Sequence, residues 1–275
     1  MFPRFAACTA FALLVSAAAP AAFAESAPEL LDALKVDEIV EVMREEGRGY
    51  SAEMAQDLLP AGQTEGWRQS VDRLYAPEAM QEVVRAGFVG SFGETDAGPL
   101  LDYLNSDAGQ KVVALELEAR REMTDPDVEA AAREAWRERQ GAGADDARLD
   151  QLDRFVAEND LLETNVVGAL NASFQFYLGL VDGGGLEMTE PEIVQEVWMQ
   201  EEATRADTRE WLYAYLLFAY QPLSDSELEA YVDISASPEG KAMNRALFAG
   251  FNHMYDEISY GLGLAAAREM LGQDL

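Results

Sequence analysis

Met243, Leu247, Phe251, Met254, Ile258 and Leu262 stand three or four residues apart along one long stretch of the chain. Apolar residues at that spacing share one face of an α-helix, whereas a strand would scatter them over both faces. A second stripe, Ala108, Val112, Leu115, Ala119 and Met123, repeats the spacing. Strand-type alternation is nearly absent, and the good helix formers Ala, Leu, Glu, Arg and Met dominate. The chain is therefore expected to be all-α and packed as a helical bundle. Helices are predicted near 29–46, 50–58, 64–74, 77–90, 97–104, 107–122, 127–139, 147–180, 190–203, 207–219, 225–234 and 238–271. The stretch near 147–180 is expected to break in two.

The first 24 residues read as a signal peptide. Arg4 opens it, an apolar run of small residues spans 5–19, and Ala22-Phe23-Ala24 forms an A-x-A cleavage site before Glu25. The run is too short for a comfortable membrane span, and no later stretch is uncharged for long enough, so no stable membrane insertion is expected. The protein is expected to be periplasmic or secreted after cleavage near Ala24. The single cysteine, Cys8, lies in that leader and too near its start for a lipoprotein signal. The mature chain is then cysteine-free, which excludes disulfides, thiolate zinc sites and cysteine nucleophiles. Twenty basic residues face 51 acidic ones, a formal charge of −31. Such a surface repels nucleic acid and anionic membranes. With 49% hydrophobic residues the chain still has enough for a large core, so its charge does not signal disorder.

Two halves resemble each other. "ELLDALKVDEIV" at 29–40 can be laid on "DQLDRFVAENDLL" at 150–162, which puts Asp32 on Asp153. Further on, Ser106 falls on Ser237 and Gly109 on Gly240. The offset grows along the way, so the second copy carries extra residues, best placed in the glycine loop at 181–191. The expectation is an internal duplication: one helical unit at 25–140, a glycine-rich linker at 141–147, and a related unit at 148–275.

The shared motif is "NSDAGQK" at 105–111 and "SPEGK" at 237–241. Ser106 and Ser237 suit helix N-caps, since a serine hydroxyl accepts a bond from a free N–H of the first turn. Pro238 suits the first helical position, and Asp107 and Glu239 complement the positive end of the helix dipole. Gly109 and Gly240 cost helix stability, which calls for a close packing contact at each. A phosphate loop would need a preceding strand and a longer glycine spacing. A Ser-Lys nucleophile would need fixed spacing, but Lys111 is five residues from Ser106 and Lys241 four from Ser237. The motif is therefore read as structural.

Leu223, Ser224, Glu227, Leu228, Tyr231, Ser237, Pro238, Gly240 and Lys241 follow a recurring pattern of Leu-Ser, acidic-Leu, aromatic and Ser-Pro-x-Gly-Lys. In this the chain resembles a family of bacterial exported helical proteins known as domain of unknown function twenty-fifty-nine. It departs from that pattern at Ile234 and Ser235, where the family has Phe-Tyr. The first copy matches only at Leu100, Tyr103, Ser106, Gly109 and Lys111. The resemblance implies an all-helical exported protein and carries over no active site.

Other chemistry finds little footing. His253 is the only histidine, so neither a two-histidine zinc site nor a triad with a G-x-S-x-G turn can be built. It reads as a polar residue on a helix flank, beside Glu257. The adjacent acids Glu201-Glu202 and Asp256-Glu257 keep a carboxylate hydrolase or cell-wall lyase open as an alternative. Asp145, Asp146, Asp150 and Asp153 keep open an acidic calcium-stabilised module, although an EF-hand loop is absent and acids at a helix start explain them. Two stretches carry no charge: 164–181 and the aromatic 211–224. Both are expected to be central core helices, with a groove for an apolar ligand or partner as the alternative. Phe174, Trp211, Tyr215 and Phe218 are the candidate lining residues. The expected function is non-catalytic binding of an envelope protein or an apolar small molecule, with no cofactor and no metal.

Overall fold

A computed structural model describes residues 19–59, 61–141 and 146–272, with side chains from Ser26 onward. Residues 1–18 of the expected leader, the side chains of its cleavage site, and residues 142–145 of the expected linker lie outside the described residues. Among the described residues the chain forms thirteen α-helices and no strand. They are α1 (Ala19–Ala33), α2 (Val36–Leu58), α3 (Glu65–Leu74), α4 (Pro77–Phe92), α5 (Gly98–Leu104), α6 (Asp107–Glu122), α7 (Pro126–Gly141), α8 (Ala147–Glu158), α9 (Leu161–Asp182), α10 (Glu190–Met199), α11 (Glu201–Tyr220), α12 (Asp225–Ser235) and α13 (Pro238–Leu271). None of these helices is long and apolar enough to cross a membrane.

The serine motif is a hinge between helices. Ser106 Oγ accepts from the Gly109 N–H at 3.1 Å and donates to the Tyr103 carbonyl at 2.6 Å. Ser237 does the same with Gly240 at 3.0 Å and Ile234 at 2.6 Å. Each glycine presses on the end of the preceding helix. A Cβ on Gly109 would run into the Tyr103 carbonyl, and one on Gly240 into that of Ile234, both far inside 3.0 Å. Lys111 and Lys241 point away from the serines, to Glu227 and Glu158.

Three boundaries differ from the sequence expectation. The predicted helix 29–46 is broken at Lys35, which takes a left-handed conformation (φ 54°) between α1 and α2. The turn lets Leu30, Leu31, Leu34 and Val36 all enter the core. The predicted gap before residue 50 is absent, because α2 runs through Gly47 and Gly49. Gly47 serves packing, not a turn: a Cβ there would strike the Tyr75 ring. Predicted helices 190–203 and 207–219 meet at Gln200 instead, since nothing between 201 and 220 interrupts α11. The break expected within 147–180 falls at Asp160, also left-handed (φ 50°).

The two cores do not divide at residues 141–147. One gathers α1 to α5 with α13, Val113 of α6 and the end of α9; the other gathers the rest of α6 with α7, α8, Leu161 of α9, α11 and α12. Helix α13 lies on both α4 and α9, while α6 lies on α11, α5 and α2. Close approach around α13 has a local cause. Its small residues let helices close on more than one face, as where a Cβ on Gly250 would meet the Val84 backbone.

Candidate ligand grooves beside helix α9

Helix α9 carries no charged residue from 164 to 181. An uncharged helix is ordinarily buried all round. Here only Leu161, Val166, Gly179 and Leu180 are fully buried, and the middle of the helix is partly buried, with Val167, Ala169 and Asn171 exposed. This corrects the expectation of a central core helix. By contrast, the other uncharged stretch does lie in the core through Leu212, Tyr213, Ala214, Leu216, Ala219 and Tyr220.

Helix α9 is pinned near its C-terminal end. Gly179 faces Gly263 of α13 so closely that a Cβ on Gly179 would meet the Tyr260 carbonyl, and one on Gly263 the Phe176 carbonyl. Asn165 Nδ2 donates to the Leu161 carbonyl at 2.7 Å, so this amide is satisfied within the helix. On either side of the pinned helix lies a groove.

The larger groove, about 720 Å³, runs between α2 and α9 over a floor of α13. Helix α2 contributes Met43, Tyr50, Met54 and Leu58, helix α9 Ala172, Ser173, Phe176 and Tyr177, and helix α13 Tyr255, Ile258 and Leu262. The acids Glu46, Glu53 and Asp57 also line it. Behind this groove is a polar wall. Arg120 Nε and Nη2 donate to Glu46 at 2.7 and 2.6 Å. The guanidinium sits 5.2 Å from the Trp211 ring centre, and Trp211 stacks on Tyr215 at 5.3 Å. Burial works against the Arg120 charge, but the Glu46 bonds outweigh it and hold its pKa above the ordinary value.

The smaller groove, about 270 Å³, lies between α9 and α10, lined by Val167, Leu170, Asn171, Phe174, Val194, Val197 and Trp198. Trp198 is 65% exposed, beside Met199 at 66%.

No family model matches this chain, and no curated protein or solved structure matches it.

The four candidate groove residues do not share one cavity. Phe174 lines the α9–α10 groove. Trp211 and Tyr215 belong to the wall behind the larger groove. Phe218 lines a third cavity, about 550 Å³, between α7, the start of α8 and α11. Tyr50, Phe176, Tyr177 and Tyr255 were not among the candidates. The signal that could have found the last three was present: 176–177 sit inside the uncharged stretch, and Tyr255 follows the α13 stripe.

Sequence reasoning also missed a buried acid. Glu116 of α6 accepts hydroxyl bonds from Tyr220 at 2.5 Å and Tyr231 at 3.0 Å, and its backbone carbonyl accepts from Tyr215 at 3.0 Å. Burial pushes the Glu116 carboxyl above its ordinary 4.5 despite those bonds. Tyr103 stacks on Tyr231, and its own hydroxyl is buried without a hydrogen-bond partner. Burial, with Glu116 nearby, pushes the Tyr103 phenol up to about 12. Through Tyr215 the cluster touches the wall behind the larger groove, but none of Tyr103, Glu116, Tyr220 and Tyr231 lines that groove.

The remaining candidates have local roles. His253 is exposed and 3.4 Å from Glu257. Asp146 caps α8 and pairs with Arg139, which holds its carboxyl down at about 2. Asp153 accepts from the Tyr213 hydroxyl at 2.6 Å. Among the described residues no group of acids and histidines is arranged to hold a metal ion.

Proposed function

We propose that this chain is an exported binding protein that takes an apolar ligand along helix α9. One observation carries the reading. Eight large hydrophobic residues are exposed among the described residues, and Tyr50, Leu58, Val167, Val194 and Trp198 of these line the two grooves flanking that helix. Scattered exposed apolar residues need no explanation, but a gathering of them around one uncharged, partly exposed helix does. The larger groove has the volume of a small-molecule site. The leader pattern and the resemblance to the exported helical family support a periplasmic or secreted setting. The matched serine hinges support an origin by duplication.

An uncharged, environment-sensitive dye titrated into the purified protein tests the reading. Saturable binding is expected. Ala172→Asp, which sets a charge in the larger groove, should weaken it about tenfold or more. Signal that never saturates, or binding unchanged by both Ala172→Asp and Trp198→Asp, would sink the proposal.

A further inference from the structure

Resting on that reading, we infer that the groove between α2, α9 and α13 selects an organic cation with an apolar body, such as an alkylated ammonium. Glu46, Tyr50, Glu53 and Asp57 fall three or four residues apart on α2, so they line one edge of the groove. Glu46 is already matched by Arg120. Glu53 and Asp57 form no ion pair with any described residue, and no Lys, Arg or His lines the groove. Two carboxylates without an ion-pair partner among the described residues therefore stand at the lip of a trough whose walls are mainly apolar and aromatic. Tyr50, Tyr177 and Tyr255 line the same trough, and aromatic rings attract cations through their electron-rich faces. The formal charge of −31 adds a long-range pull on cations and repels anionic amphiphiles such as fatty acids. The polar groups and the apolar walls thus ask for the two ends of one molecule.

Calorimetry on the full protein, in low salt, tests this with three probes of one chain length below their micelle concentrations. The probes are dodecyltrimethylammonium, an uncharged dodecyl ether and dodecyl sulfate. The ammonium is expected to bind about tenfold tighter than the ether, with the sulfate weakest, and half-molar salt should narrow the gap. Glu53→Gln with Asp57→Asn should cut the ammonium-to-ether preference about fivefold or more. Both side chains are exposed, so the double variant should melt like the parent. Equal binding of ammonium and ether would overturn the cation preference while leaving an apolar site in place. Tightest binding of the sulfate would overturn it too. Failure of all three probes would remove the binding reading itself.

Discussion

Replacing Gly240 by alanine adds a single methyl group, and the hinge leaves no room for it. The new Cβ would press on the Ile234 and Ser235 carbonyls, both backbone atoms that no rotamer change can move aside. To accommodate it, α12 and α13 must part at the point where Ser237 bonds to the Ile234 carbonyl and to the Gly240 N–H. Losing an N-cap costs about 1 kcal/mol, and forced overpacking costs a further ~1–3 kcal/mol. The better helix propensity of alanine returns at most about 1 kcal/mol. The expected net loss is therefore about 2 kcal/mol. Urea unfolding at 25 °C would read it as a lower midpoint with an unchanged slope, because the surface exposed on unfolding is the same. Gly109→Ala should behave alike, since its Cβ meets the Tyr103 carbonyl in the same way. Lys241→Ala is the control: it removes only an exposed pair with Glu158 and should leave the midpoint nearly unmoved. If Gly240→Ala proved as stable as the parent, or if Lys241→Ala cost more, the glycine would not be the point of the motif.

Gly179→Val should cost about 3 kcal/mol or more in urea unfolding, because its Cβ meets backbone of α13 on both sides of Gly263. Arg120→Ala should cost about 2 kcal/mol by the same measurement, since it removes the two-pronged bond to Glu46 and the guanidinium over the Trp211 ring. Arg120→Lys should recover only part of that, because an ammonium cannot reproduce the two-pronged bond. Glu116→Gln should flatten a pH dependence. The folded-state carboxyl has a raised pKa, so the folded protein holds that proton more tightly than the unfolded chain, and the parent gains stability relative to the variant as pH falls towards about 4.5. Midpoints of the two proteins compared from pH 8 to about 4.5 would show the gain, and parallel curves would refute the assignment.

Much of the helical order is legible in the residues, because long helices with apolar stripes and serine caps announce both ends. The expected 107–122 and 238–271 coincide with α6 and α13. What is missed has physical causes. Lys35 closes α1 by a left-handed turn with no side-chain cap, so no residue type marks it. Gly47 reads as a helix break but is a packing contact, and only the position of Tyr75 tells the two apart. The site was harder. The stretches at 164–181 and 211–224 are alike in lacking charge, yet one lies in the core and the other between grooves. Periodicity states which face is apolar and not how much of it is covered. Phe174 and Phe218 each line a cavity, though not the same one, and Trp211 and Tyr215 stand in the wall behind the larger groove, because aromatic content does not separate wall from lining. Glu116 lies four residues after Val112 of the stripe, a single acid on an apolar face, and nothing in the sequence brings Tyr220 and Tyr231 to it.

The larger groove is built from helices far apart in the chain. Its edge is α2, from the first half; its opposite wall is α9 and its floor is α13, both from the second. The floor helix is also the one laid against α4 in the first core. A ligand in this groove would touch three helices whose joint placement depends on both cores being folded. It would then bind only the fully assembled chain, and its stabilisation would appear in the global unfolding midpoint, by about 2.7 kcal/mol at a hundredfold excess over Kd. A ligand confined to α9 and α10 would lack that reach, because α10 packs on α9 and α11 alone among the strongly contacting helices. Which transition shifts, and not by how much, therefore separates the two grooves without a structure of the complex. A shift of the main cooperative transition places the ligand over α13, whereas protection of the α10 amides from hydrogen exchange with an unshifted main transition places it on α10.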